Sequence, residues 1–453
     1  MIIAGGLLAL PDEHEPVPAD LRVRDGRFVR IERRDGRSAL QEDGDGVIDA
    51  RGCLVLPGAI DPHVHFDDPG YTDREDFAHG TAAAASGGVT TVVDMPSTSV
   101  PPVTSGENLR TKLAAIEGKA VIDYGLYGGV SAQVLDDDPV ARIAELAPDV
   151  LGFKTYFVSG METFARVDHR RFLDVLRMTA DAGRPTLLHA EEFDFVTSAT
   201  AAARALADSP RAWYESRPEE AETLAVLAAC ELAERAGGDL HVVHVSTGRA
   251  AAVIAATPGV TGETAPHYLA FSLEDFERLG SPLKVAPPVK PQPNAELLWQ
   301  ALGDGSLSFV ASDHAPAPTE QKRTGSIWSD YAGIPGSGTL LPYLYSEGYR
   351  AGRLRLGELT ALASHNAARR YGIDDRKGGL APGMDADCVL IREDADWTVR
   401  GEAFLSKGHV TPFEGMRLRG RVEKTLVRGT VVYDREEGIV VDGGYGRLVR
   451  RVG

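Results

Sequence analysis

Eight apolar, strand-like runs recur along the middle of this chain, and most are followed by a stretch of helical character. That alternation limits the fold more than any other feature. The runs are GAIDPHVHF, VTTVVDMP, VIDYGLYGG, VLGFKTYF, PTLLHAEE, DLHVVHVS, GVTGETAPHYL and LSFVASDHAP. Between them lie REDFAHGTAAAASGG, HRRFLDVLRMTADAG and PEEAETLAVLAACELAERAGG. Alternating strand and helix implies a parallel sheet, and eight such units predict an α/β fold of the (β/α)8 barrel type. A doubly wound open sheet is the alternative. It normally carries a glycine-rich phosphate loop after its first strand, and neither GxGxxG nor GxxxxGK(S/T) stands there.

The two ends of the chain read differently. LRVRDGRFVRIER alternates apolar and polar residues around a DG turn, which predicts a hairpin. ADCVLIRE, VEKTLVRGTVVYD and GIVVDGGYGRLVRR are β-branched runs separated by turn residues, and GGLAPGMDAD marks a boundary before them. These segments predict one small β-sandwich built from both N- and C-terminal parts, residues 1–53 and 375–453, with the barrel inserted as residues 54–374.

Composition narrows the function. The 453 residues carry a net charge of −18, which argues against a nucleic-acid binder. No apolar run approaches the ~20 residues of a membrane helix, and the N-terminus lacks the basic start of a signal peptide. Cys53, Cys230 and Cys388 form no CxxC pair and no disulfide framework, a usage that fits a reducing cytoplasm.

In a barrel of this type the active site lies at the C-terminal ends of the strands, and the polar residues fall there. The first run ends in His63-Val64-His65, whose period-2 spacing points both imidazoles to one side, as two ligands of one metal require. The fourth carries Lys154, the fifth ends at His189, the sixth at His244 and the eighth at Asp313. Taken singly, a histidine at a strand end is more often a satisfied polar residue than a ligand. Six such groups at one structural level point to a metal centre. Lys154 needs its own account, because a protonated ammonium cannot ligate. A desolvated lysine is nucleophilic, and CO2 would convert it to a carbamate, an anionic oxygen donor able to bridge two cations. The arrangement expected is His63 and His65 on one metal, His189 and His244 on the other, the carbamate between them, and Asp313 on the first.

The same motifs carry a resemblance that runs nearly end to end. PGAIDPHVHF, GTAAAASGGVTTVVDMPSTSVPP, GFKTYF, LLHAEE, HVVHVSTG, APHYL, KVAPPV, ASDHAP, GGLAPGMDADCVLI, TPFEGM and TLVRGTVVYD together resemble the cyclic amidohydrolases: allantoinases, hydantoinases, dihydropyrimidinases and dihydroorotases. The resemblance implies a binuclear centre of two divalent ions, zinc first among them, with a carboxylated Lys154 and a bridging hydroxide that attacks a ring amide. Asp313 then serves as base and acid. It also implies a small cyclic amide as substrate and a homodimer or homotetramer.

The ring is read from the departures. Dihydroorotases typically read HxHLR, where the arginine grips the substrate carboxylate; here that position is Asp67. Their usual Asn after MP is Ser97, their NPP is Ala286-Pro287-Pro288, and their His after DHAP is Ala317. Loss of a bidentate arginine disfavours an anionic ring, so allantoin, which is uncharged, is the expected substrate. Another neutral ring, opened by a hydantoinase or dihydropyrimidinase, is the alternative, and dihydroorotate follows it. Dihydropyrimidinases typically place a tyrosine five residues after the lysine; Ser159 stands there, and Tyr156 either reaches the site or packs. His267 is expected to contact substrate or fix a loop. Ala286 and the Ala332-Gly333 pair are candidates for backbone contacts to the ring. Glu191, Glu192 and His241 read as supporting or structural groups. A non-catalytic binding homologue would have no need of six intact ligands.

Overall fold

The computed structural model describes residues 1–11, 13–34 and 46–451. Eight parallel strands form the central barrel: β1 (Ala59–Val64), β2 (Val89–Asp94), β3 (Asp123–Leu126, continued at Gly128–Gly129), β4 (Phe153–Tyr156), β5 (Thr186–His189), β6 (Leu240–Val242), β7 (Thr261–Thr264) and β8 (Phe309–Val310). The ring closes just past β8, where Val64 bridges His314 in parallel and His65 N donates to His314 O at 2.7 Å. The strands are short, and their residues are buried almost without exception, as expected of a parallel sheet covered on its outer face by helices.

The helices that follow the strands carry their own start signals. α1 (Phe77–Ser86), α2 (Gly106–Ile116) and α3 (His169–Asp181) are capped by the side chains of Asp76, Ser105 and Asp168, each accepting from the backbone N–H three residues on. α4 (Glu219–Ala236) has three glutamates in its first turn and ends on left-handed Gly237.

Both chain ends join in one nine-stranded sheet. The DG hairpin is present as Val17–Arg24 and Arg27–Arg33, with Asp25 and Gly26 both at positive φ (51° and 75°), the backbone a two-residue turn of this kind needs. Strand Cys53–Pro57 pairs with Cys388–Thr398, so the segment that leads into the barrel lies against the one that leaves it. Ile3, Leu8, Leu21, Phe28, Val55, Leu390 and Leu426 form the apolar core of this β unit. The last β-branched run splits. Gly438–Ile439 adds a short edge strand, whereas Val449 N donates to Tyr124 O and Leu448 bridges Tyr124, laying the tail along the barrel.

A buried ionic cluster joins barrel to sheet. Lys377 Nζ lies 2.6 Å from Asp123, 2.7 Å from Asp387 and 3.1 Å from Asp385, and Arg428 also pairs with Asp123. Among the described residues no helix is long and apolar enough to cross a membrane.

Candidate metal centre

Strand direction decides which side chains meet. His63, His65, Lys154, His189, His244 and Asp313 all line one cavity of about 720 Å3 at the C-terminal ends of the strands. His63 and His65 belong to β1 and the residue just past it, Lys154 to β4 and His189 to the end of β5. His244 and Asp313 stand just beyond β6 and β8 with φ of 40° and 50°, a left-handed backbone that non-glycine residues adopt at a cost and that clusters at functional sites.

Asp313 Oδ1 lies 3.2 Å from His63 Nε2 and 3.6 Å from His65 Nε2, and donor atoms of the three residues fit within 4.8 Å of one another. On the other side His189 Nδ1 and His244 Nε2 are 2.9 Å apart. His63 Nε2, the ring nitrogen that faces Asp313, is buried without a hydrogen-bond partner. A buried imidazole nitrogen left unpaired beside a carboxylate is what a cation site requires, so the donor set fits metal ions.

The groups behind the donors fix their orientation. Glu263 Oε1 lies 2.5 Å from His63 Nδ1, and its Oε2 lies 3.2 Å from His241 Nε2. Glu191 Oε2 lies 2.8 Å from His189 Nε2 and pairs with Arg217. The contacts to His63 and His189 leave the opposite nitrogen of each of those two rings free for the cavity side, whereas His241 is tied on both nitrogens, to Glu263 and to Thr261. Asp61 accepts from Ser312 N, Ser312 Oγ and Ser337 Oγ, which anchors the residue before Asp313. His314 Nδ1 accepts from Gly336 N and Ser337 N, leaving its Nε2 to donate to Glu75 at 3.2 Å.

Electrostatics agree with the geometry. Burial holds the imidazoles of His63, His189 and His244 below the usual histidine range, which favours the neutral form that a metal site needs. Burial pushes Lys154 down to about 7, far below an ordinary lysine. Burial alone would raise Asp313, but the neighbouring His63, His65 and His244 hold its carboxyl well below the usual carboxylate range. Glu191 is brought to about 2: burial opposes ionisation, but Arg217 and His189 prevail.

Other candidate residues divide between the cavity and its surroundings. Ser97 and Tyr156 line it, with Ser97 Oγ 2.8 Å from the Tyr156 hydroxyl, so Tyr156 reaches the site. Ala286, Ala332 and Gly333 line it too. Gly333 has little backbone to spare, since its N–H donates to Lys284 O and its carbonyl accepts from Lys322. Asp67 and His267 are not on the cavity wall. Asp67 is 1% exposed, has φ 53° and has neither carboxylate oxygen paired; burial raises it to about 8. His267 is equally buried against the Tyr268 ring, with Nε2 unpaired. Sequence reading missed Glu263, and it missed three cations on the cavity wall, Arg74, Arg217 and Lys284. A carboxylate inside the otherwise uncharged run TGET was the signal for Glu263.

This site on this barrel defines a class of metal-dependent hydrolase. Residues 54–432 match the Amidohydrolase family, and the chain belongs to it. An allantoinase of Rubrobacter xylanophilus is 42% identical over 95% of this chain and 97% of its own. A dihydroorotase of Halobacterium salinarum is 37% identical over 95% of this chain and 98% of its own. Among solved structures, the L-hydantoinase (dihydropyrimidinase) of Arthrobacter aurescens superposes with a TM-score of 0.92 at 30% identity, covering 99% of each chain.

Proposed function

We propose that the protein hydrolyses a ring amide of a neutral cyclic ureide, allantoin, to give allantoate. In this reading His63, His65 and Asp313 hold one divalent ion, His189 and His244 a second, and a carbamate on Lys154 joins the two, with zinc the expected metal. One observation carries it: six donors from five barrel strands converge at one end of a single cavity. Two bound cations supply an activated water and a Lewis acid for the ring carbonyl.

The protein's own groups account for the rest. Lys154, brought down to about 7 by burial, is in large part neutral at pH 7 and can take up CO2. Asp313 is held ionised beside the histidines, so it can accept the proton of the attacking water and pass it to the departing ring nitrogen. Tyr156 stays a phenol, because burial raises its hydroxyl, and with Ser97 it offers a polar edge on which a ring can be oriented. Ala286 and Ala332 line the same cavity and are the candidates for backbone contacts to the ring.

Dihydroorotate is the second reading. It is favoured by the 37% identity to a dihydroorotase and by the three cations on the cavity wall. Ring opening of allantoin, followed by the appearance of allantoate in protein that contains two metal ions per chain, tests the proposal. Metal-replete protein that leaves allantoin intact would contradict it. The same reading carries a homodimer or homotetramer, for which exposed Leu206, Leu224 and Leu227 supply apolar surface; sedimentation equilibrium checks it.

A further inference from the structure

The three wall cations are not equivalent. Arg217 is committed to Glu191 and lies over the Trp213 ring at 5.2 Å. Lys284 donates to Asp330 O and sits 4.1 Å from the same ring. Arg74 packs against two rings: its guanidinium carbon is 4.7 Å from the Tyr71 ring centre and 4.6 Å from that of Tyr331. Nε donates to Gln321 Oε1 at 2.8 Å, and Gln321 Nε2 in turn donates to Asp73 at 2.8 Å. The loop after β1 is thereby tied to the segment after β8, and Arg74 is fixed at the cavity wall by packing and by side-chain hydrogen bonds to Gln321 and Tyr331. The nearby carboxyl, Asp67, is buried behind the wall and makes no hydrogen bond to it.

We propose that Arg74 is a specificity-determining residue, which reads a planar hydrogen-bond acceptor carried on the ring outside the scissile amide: a ureido carbonyl or a carboxylate. This rests on the ring-opening reading above and names the substituent. A guanidinium held between two aromatic rings is pre-organised, and its planar fork matches a planar carbonyl or carboxylate. An alkyl or aryl substituent at the same place strips water from those donors and returns no partner, so the site rejects it.

The test compares kcat/KM for allantoin, dihydroorotate and unsubstituted hydantoin in wild type, Arg74→Met and Arg74→Lys, each with metal restored. Arg74→Met is expected to lower the ratio of substituted to unsubstituted ring by about 10- to 100-fold, the worth of a charge-assisted hydrogen bond, and Arg74→Lys to recover part of it. A fall in the allantoin ratio assigns the ureido group, and a fall in the dihydroorotate ratio the carboxylate; either sustains the proposal. A ratio unchanged for both, with the three substrates falling in parallel or not at all, overturns it. Wild type that opens no ring at all overturns the ring-opening reading itself, and this assignment with it.

Discussion

Glu263 offers the sharpest perturbation, because it is not on the cavity wall and yet contacts His63, a proposed metal ligand. Its carboxyl is 1% exposed and lies 2.5 Å from His63 Nδ1, itself 1% exposed. Glu263→Ala removes the group that orients His63 and leaves Nδ1 with no acceptor. Leaving that buried donor unsatisfied costs about 2 kcal/mol. If that orientation is lost from the metal-bound state, affinity falls about 30-fold, inside the about 10- to 100-fold range expected for such supporting carboxylates. Glu263→Gln keeps an oxygen for His63 and an amide for His241, so most of the affinity should remain. The assay is competition for zinc against a chelator of known affinity, with circular dichroism to confirm the fold. Wild-type affinity in Glu263→Ala would refute the argument that this carboxylate orients His63.

Three further outcomes are expected. Asp313→Asn should cost about 100- to 10,000-fold in kcat, the range for a general acid–base group, with the thermal transition little changed; near-wild-type turnover would remove Asp313 from proton transfer. Below about pH 7 the buried Lys154 amine is protonated and inert toward CO2, and above it the amine is neutral. Activity regained by metal-free protein with zinc at fixed dissolved CO2 should therefore rise between about pH 6 and 8 and then level, whereas a rise continuing to pH 10 would show an unperturbed lysine. Lys377→Met removes the ammonium shared by Asp123, Asp385 and Asp387, leaves Asp387 without its ion-pair partner, and should destabilise by about 3–5 kcal/mol, read as a lower urea midpoint; an unchanged midpoint would show that the cluster does not hold the sheet to the barrel.

Legibility in the sequence followed the backbone. Alternation places residues 63 and 65 on one face, and 154 and 156 on another. β4 runs through Tyr156, so Tyr156 joins Lys154 in the cavity. The same count puts Asp67 beside His65, but β1 ends at Val64 and the left-handed turn at Asp67 takes its carboxyl behind the wall. His267 escapes for a similar reason: β7 stops at Thr264, and Pro266–Ala270 is already helical. Glu263 stands 200 positions from His63, and Arg74 meets Tyr331 only because two loops are tied by Gln321. Contacts of that kind are set by tertiary closure and leave no local pattern.

The central claim is that this cavity opens a neutral ring. Its most direct measurement is kcat/KM for allantoin and dihydroorotate, with 5-substituted hydantoins and dihydrouracil in the same run, on protein given zinc and bicarbonate and again after chelation. A strong preference for allantoin, abolished by the chelator and restored by zinc, is expected. Preference for dihydroorotate, or turnover indifferent to metal removal, would contradict it.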